Sequence, residues 1–158
     1  MAAALVGAPR LISSLNPTTN LYRQADAAGI AWLGDHLPPD EIVVINPAPW
    51  GYGLYFGQDG GYWIAPLTGL RTVPPNVLYG LDPEAYEKVN TFATQLIESG
   101  RDPDAIWELL HGCGLHYIYT GARGGVISPQ ALDGSPRFLT RYHQDGVWVF
   151  EALPESGD

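Results

Sequence analysis

The chain holds one cysteine, one lysine and one methionine in 158 residues. A lone Cys113 cannot form an internal disulfide, so stability has to come from a packed core. With Lys88 as the only lysine, eight basic residues face seventeen acids, for a net charge of −9. No basic run is present, which excludes a phosphate-neutralising nucleic-acid binder and disfavours electrostatic attachment to an anionic membrane. Long hydrophobic runs are missing too, since a bilayer span needs ~20 apolar residues. The opening MAAALVGAPRLISSL is apolar but shorter than that, and Arg10 follows its apolar stretch where a signal peptide would carry charge first. Residues 1–15 therefore read either as a loose terminal segment or as the end of a transmembrane helix. There is no G-x-S-x-G elbow, no H-E-x-x-H zinc motif, no internal repeat and no low-complexity tract.

Hydrophobic residues make up 46% of the chain, and a chain of this length buries about 70% of its unfolded surface. Residues 16–158 fit one α/β domain of helices layered on a small mixed sheet, ending in a β-hairpin. The apolar spacing of Ala27, Ile30, Leu33 and Leu37 predicts a helix from Tyr22 to Leu37. EIVVIN (Glu41 to Asn46) and LHYIYT (Leu115 to Thr120) predict short inner strands buried on both faces. Asp82-Pro83 opens a helix running to Gly100, with Tyr86, Val89, Phe92, Ala93, Leu96 and Ile97 on its apolar face. Asp102-Pro103 repeats the start signal for a shorter helix that Gly112 and Gly114 stop, and Ser128-Pro129 opens one through Leu132. Asp145-Gly146 between Phe138–His143 and Val147–Ala152 signals a hairpin.

Residues 50–75, WGYGLYFGQDGGYWIAPLTGLRTVPP, are dominated by glycine and aromatics, with Asp59 and Arg71 as their only charges. Tyr62 to Leu67 is expected to be a strand carrying Trp63 into the core, and a loop leads from Pro74-Pro75 to Gly80. GYGLYFG is one residue too long for a dinucleotide fingerprint and no helix follows it. No cofactor is therefore expected. Trp50, Tyr52 and Tyr55 are candidates for stacking on a ligand, with Asp59 and Arg71 orienting it; sugars suit that chemistry. The competing reading is that rings in this segment cover the sheet edge or form a small core of their own. GARGG (121–125) with Arg123 is a candidate anion loop, or else a turn with Arg123 solvated. His111, Cys113 and His116 offer three zinc-type donors, but a structural site needs four. No metal is expected, and Cys113 is expected to be a small buried side chain.

QADAAGIAWLGDHLPPDEIVVIN, DGGYWIAPLTGLRTVPPNVLYG, LHYIYTGARGG and LTRYHQDGVWVFEAL, in that order, resemble the C-terminal soluble region of polytopic bacterial glycosyltransferase-like membrane proteins. That region in turn resembles relatives of the lipid-phosphate-sugar-dependent mannosyltransferases. The likeness spans Leu15 to Leu153 and consists of glycine, aromatic and turn patterns, not a catalytic signature. It implies an extracytoplasmic α/β domain that follows a transmembrane bundle, with the catalytic acid in a loop of that bundle. No catalytic position is thus carried onto this chain. The expectation is an accessory domain contacting glycan, lipid-linked sugar or the membrane portion of a parent protein. Two alternatives stand beside it. One is a free-standing hydrolase of a sugar or phosphate ester built on Asp59, Arg71, Arg123 and His143; the other is a structural or oligomerising domain.

Overall fold

The computed structural model describes residues 20–155, so the apolar segment 1–15 lies outside the described residues. Among the described residues five helices and seven strands follow one another: α1 (Asp26–His36), β1 (Ile42–Ile45), β2 (Pro47–Gly51), β3 (Leu54–Gly57), α2 (Ile64–Thr68), β4 (Arg71–Val73), α3 (Pro83–Ser99), α4 (Pro103–Cys113), β5 (Tyr117–Thr120), α5 (Pro129–Asp133), β6 (Phe138–Gln144) and β7 (Val147–Ala152). The main sheet has the order β4-β1-β5-β7-β6. β1 runs parallel to β4 and β5, whereas β7 is antiparallel to both β5 and β6. β2 and β3 form a separate two-stranded ribbon. The α/β architecture with a mixed sheet and a terminal hairpin is as the sequence indicates.

Alternation along the inner strands explains the three layers. Val43, Ile45 and Tyr119 pack with Val147 and Val149 against Ile30, Leu33 and Leu37 of α1. The intervening Val44 and Ile118 point the other way, with Phe150, onto Phe92 and Leu96 of α3 and Ile106 and Leu110 of α4. Both faces are covered, so the strands read as unbroken apolar runs. Gly29 lets α1 approach β7, because a Cβ there would meet the Val147 side chain at 2.5 Å.

The caps carry much of the helix specification. Asp82 accepts from the backbone N–H of Glu84 and Ala85, and Asp102 from those of Asp104 and Ala105, each ahead of a first-turn proline. α4 ends at Gly114 in the left-handed region, φ 65°. α1 is shorter than the apolar spacing predicts, starting at Asp26, and its inner face holds Asp26 and Gly29 while Ala27 is exposed.

The 50–75 segment departs most from its sequence reading. Tyr62 to Leu67 is not a strand: a 3-10 turn over Gly60–Trp63 leads into α2, and the strand is β4, further on. Asp59 decides this by accepting the N–H of Gly61 and capping the turn. Gly60 and Gly61 are buried where a Cβ would collide with the Asp26 carboxyl and with Ile45 respectively. Trp63 is consequently 42% exposed and does not belong to the core. The stretch before Asp82 is also more ordered than a loop, forming a 3-10 turn over Val77–Leu81 capped by Asn76.

Candidate functional site

β1 connects outward to β4 on one side, and the chain then crosses to β5 on the other. The strand order therefore reverses between β1 and β5, and ligands of open α/β sheets bind at the carboxyl ends of strands at such a point. Here Asn46 follows β1, and Thr120-Gly121 leads from β5 into the loop Ala122-Arg123-Gly124-Gly125.

Two carboxylates are buried beneath that loop, and both are fully enclosed. Asp26 accepts from the Tyr119 hydroxyl at 2.8 Å, the Ala122 N–H at 2.9 Å and the Arg23 N–H at 2.6 Å. Asp59 accepts from Asn46 Nδ2 and the Gly121 N–H, each at 2.7 Å, and from Gly61 N–H at 2.9 Å. Asn46 completes the network by accepting from Ile127 N–H at 2.9 Å. Burial pushes the Asp59 carboxyl up to about 6, against the lowering effect of its three donors, and neighbouring Asp26 adds to the rise. Burial, and after it the charge of Asp26, raise the Tyr119 hydroxyl, which stays a donor.

Three of the five N–H groups of the glycine-rich loop are thus bonded within the protein. The N–H groups of Gly121 and Ala122 serve the protein's own carboxylates. Those of Gly124, Ile127 and Ser128 go to Gly121 O, Asn46 Oδ1 and Gly100 O. Glycine is needed for proximity. A Cβ at Gly121 would lie 2.8 Å from Asp26 Oδ1 and 2.9 Å from Gly60 N; one at Gly125 would lie 2.3 Å from Asn46 Cγ.

On the outer side of the loop lies an open groove of about 860 Å³. Its floor includes Thr120 and Trp148, which are register partners across β5 and β7. Glu98 and Arg101 from the end of α3 and its exit, Arg123 from the loop, and Gln130 from α5 line its walls. Arg123 Nη1 is held by Gln58 O at 2.9 Å. Among the described residues, Thr120 Oγ1 is the buried side-chain polar atom without a hydrogen-bond partner, and Thr120 is 1% exposed. A buried hydroxyl left unpaired is unfavourable by about 1–3 kcal/mol, so a partner reaching the groove floor has something to gain there. Trp148 stacks on Phe150 beneath it and on His143 at its edge.

The residues singled out from the sequence fall in separate places. Trp50, Tyr52 and Tyr55 lie on the β2–β3 ribbon, with Tyr55 Oη bonded to Thr94 Oγ1 of α3 at 3.1 Å. Asp59 is enclosed beneath the loop, and so takes no part in a surface patch. Arg71 starts β4 beside Ile42, at the opposite ends of the parallel strands, and donates to Asp40 O. Only Arg123 lines the groove. Asp59, Arg71, Arg123 and His143 therefore do not converge as a hydrolytic set. Glu98 is the single carboxylate in the groove wall, whereas two-carboxylate hydrolysis needs a pair. Cys113 is exposed, not buried. No group of three metal-type side chains occurs among the described residues; His111 meets Leu153 O and His116 faces Glu41 instead. Sequence reasoning missed Thr120, Trp148, Glu98, Arg101 and Gln130. The available signal was that two apolar inner strands both end in a polar residue, Asn46 and Thr120.

Fold and groove together define a three-layer α/β domain with an open groove at its switch point. No family model matches the chain, and searches of curated proteins and of solved structures give no match either. Among the described residues, no helix is long and apolar enough to cross a membrane.

Proposed function

We propose that this domain recognises a glycan, or the sugar of a lipid-linked donor, in the switch-point groove and carries out no chemistry on it. The observation that carries this reading is the unpartnered Thr120 hydroxyl in the floor of the groove, beside the half-buried Trp148 ring. A sugar offers both complements: hydroxyls for Thr120, Gln130 and Glu98, and C–H groups for the part of the indole that His143 and Phe150 leave uncovered. Arg101 and Arg123 supply planar donors to ring hydroxyls or to the phosphate of a lipid-linked sugar. The paired acids that would suggest catalysis, Asp26 and Asp59, are spent on internal donors behind the loop. The likeness of the sequence to the extracytoplasmic region of glycosyltransferase-like proteins supports the same assignment, with the groove in place of the 50–75 segment as the contact.

Isothermal titration against neutral oligosaccharides and short-chain polyprenyl-phosphate sugars tests it. The expected result is heat with at least one member, weakened about tenfold by Thr120→Val, whose melting temperature should be no lower than that of the wild type. No heat with any ligand, or equal affinity of Thr120→Val, would overturn the proposal.

A further inference from the structure

Residues 42–81 contain two charged side chains, Asp59 and Arg71. The first is enclosed and the second sits at the far end of the strands, so the ribbon β2–β3 and the 3-10 turn after it carry no exposed charge. What they expose instead is apolar or aromatic: Trp50 is 60% exposed, Tyr52 99%, Leu78 67% and Leu81 84%. Tyr52 is held outward at a positive φ of 53° between Gly51 and Gly53, a conformation unfavourable for a ring-bearing residue. Turn and ribbon pack together, because Tyr79 Oη accepts the N–H of Tyr55 at 2.7 Å and a Cβ on Gly80 would touch Leu54.

The rings also form a continuous series. Trp50 meets Phe56 at 5.1 Å, Phe56 meets Tyr62 at 6.3 Å, Tyr62 meets Trp63 at 6.3 Å, and Trp63 meets Tyr22 at 6.4 Å. The stripe thus starts where residues 1–19, with the apolar run Ala2 to Pro9, join the described chain, and it ends at the ribbon tip. Successive rings stand 67–86° apart. That edge-to-face order offers no coplanar platform on which a glycan strand could stack. It suits an interfacial layer, where Trp and Tyr rest with an apolar body inward and a polar tip in water.

We infer that this stripe, from Tyr22 to the Trp50–Tyr52 tip, lies against the interface of a zwitterionic lipid bilayer. The match is one of charge: the stripe is uncharged while the chain as a whole carries −9, so an anionic surface repels it and a neutral one does not. The inference stands independently of the groove.

Flotation of the full chain with phosphatidylcholine vesicles, together with tryptophan quenching by brominated lipids, tests it. The wild-type protein should float and be quenched, with no loss on raising salt. Trp50→Ser combined with Tyr52→Ser should bind about tenfold less while keeping its melting temperature, both side chains being exposed. Thr120→Val should float as wild type, which separates this outcome from that of the groove. Failure of the wild type to float overturns the inference. Equal binding by the double variant does so as well, assigning any membrane contact to the retained apolar run. A dimer in sedimentation velocity that the double variant abolishes, or binding that requires anionic lipid, would also refute it.

Discussion

Replacing Asp59 with asparagine should change how stability depends on pH, on top of a loss of stability that is the same at every pH. In the folded protein burial raises the Asp59 carboxyl from its ordinary 3.8 to about 6. The folded state therefore holds a proton that the unfolded chain releases at lower pH. Stability from this group is fully present below pH 3.8 and is lost as pH rises through about 6. The full difference corresponds to about 3 kcal/mol, of which about 2 kcal/mol falls between pH 4.5 and 7.5. The amide introduced by Asp59→Asn has no such titration. It does sacrifice at least one bond, because its nitrogen must face one of the donors Asn46 Nδ2, Gly61 N–H or Gly121 N–H. That loss is a constant offset near 1–3 kcal/mol. Urea unfolding followed by tryptophan fluorescence, on both proteins at pH 4.5 and pH 7.5, isolates the contribution of Asp59 and its coupling to Asp26, since titrations uncoupled from Asp59 cancel in the difference. The wild-type advantage should shrink by about 2 kcal/mol from pH 4.5 to pH 7.5. A gap constant within about 0.5 kcal/mol, or one that widens with pH, would refute the claim that burial outweighs the three donors.

Other perturbations test other links. Gly121→Ala should lower stability by about 2–3 kcal/mol in thermal or urea unfolding, because its Cβ meets the Gly60 backbone as well as the Asp26 carboxyl and neither can yield easily. Arg123→Ala should weaken any ligand found for the groove while leaving the urea midpoint within about 0.5 kcal/mol, since its side chain is exposed. Asp82→Ala should cost about 1 kcal/mol by removing the acceptor at the start of α3, read as a shift in the same unfolding curve. Leu96→Ala, at a fully enclosed site between α3 and the sheet, should be severe at about 2–5 kcal/mol.

Where local chemistry dictates conformation, the sequence was readable. Asp-Pro starts specified α3 and α4, and Asp-Gly specified the terminal hairpin, because a cap or a turn needs only its immediate neighbours. Residues 60–73 were misread for the opposite reason. Gly60-Gly61 resembles a break ahead of a strand, yet Gly60 answers to Asp26, more than thirty residues earlier, Gly61 to Ile45, and the turn to Asp59. The groove was partly legible. The unusual 121–125 loop marked its place, but the direction of the amides was hidden until Asp26 and Asp59 were seen beneath them. Thr120 looked like an ordinary strand end, since an unpaired hydroxyl is a property of its surroundings alone.

The inward bonding of the glycine-rich loop has a kinetic consequence. A loop with three glycines in five residues would ordinarily sample many conformations, and a ligand would have to freeze one of them. Here two carboxylates and Asn46 already hold it at Gly121, Ala122 and Ile127. The groove wall is therefore set before anything arrives. Association should be a single step at a rate limited by encounter, not by reordering, and differences among ligands should appear in how long each stays.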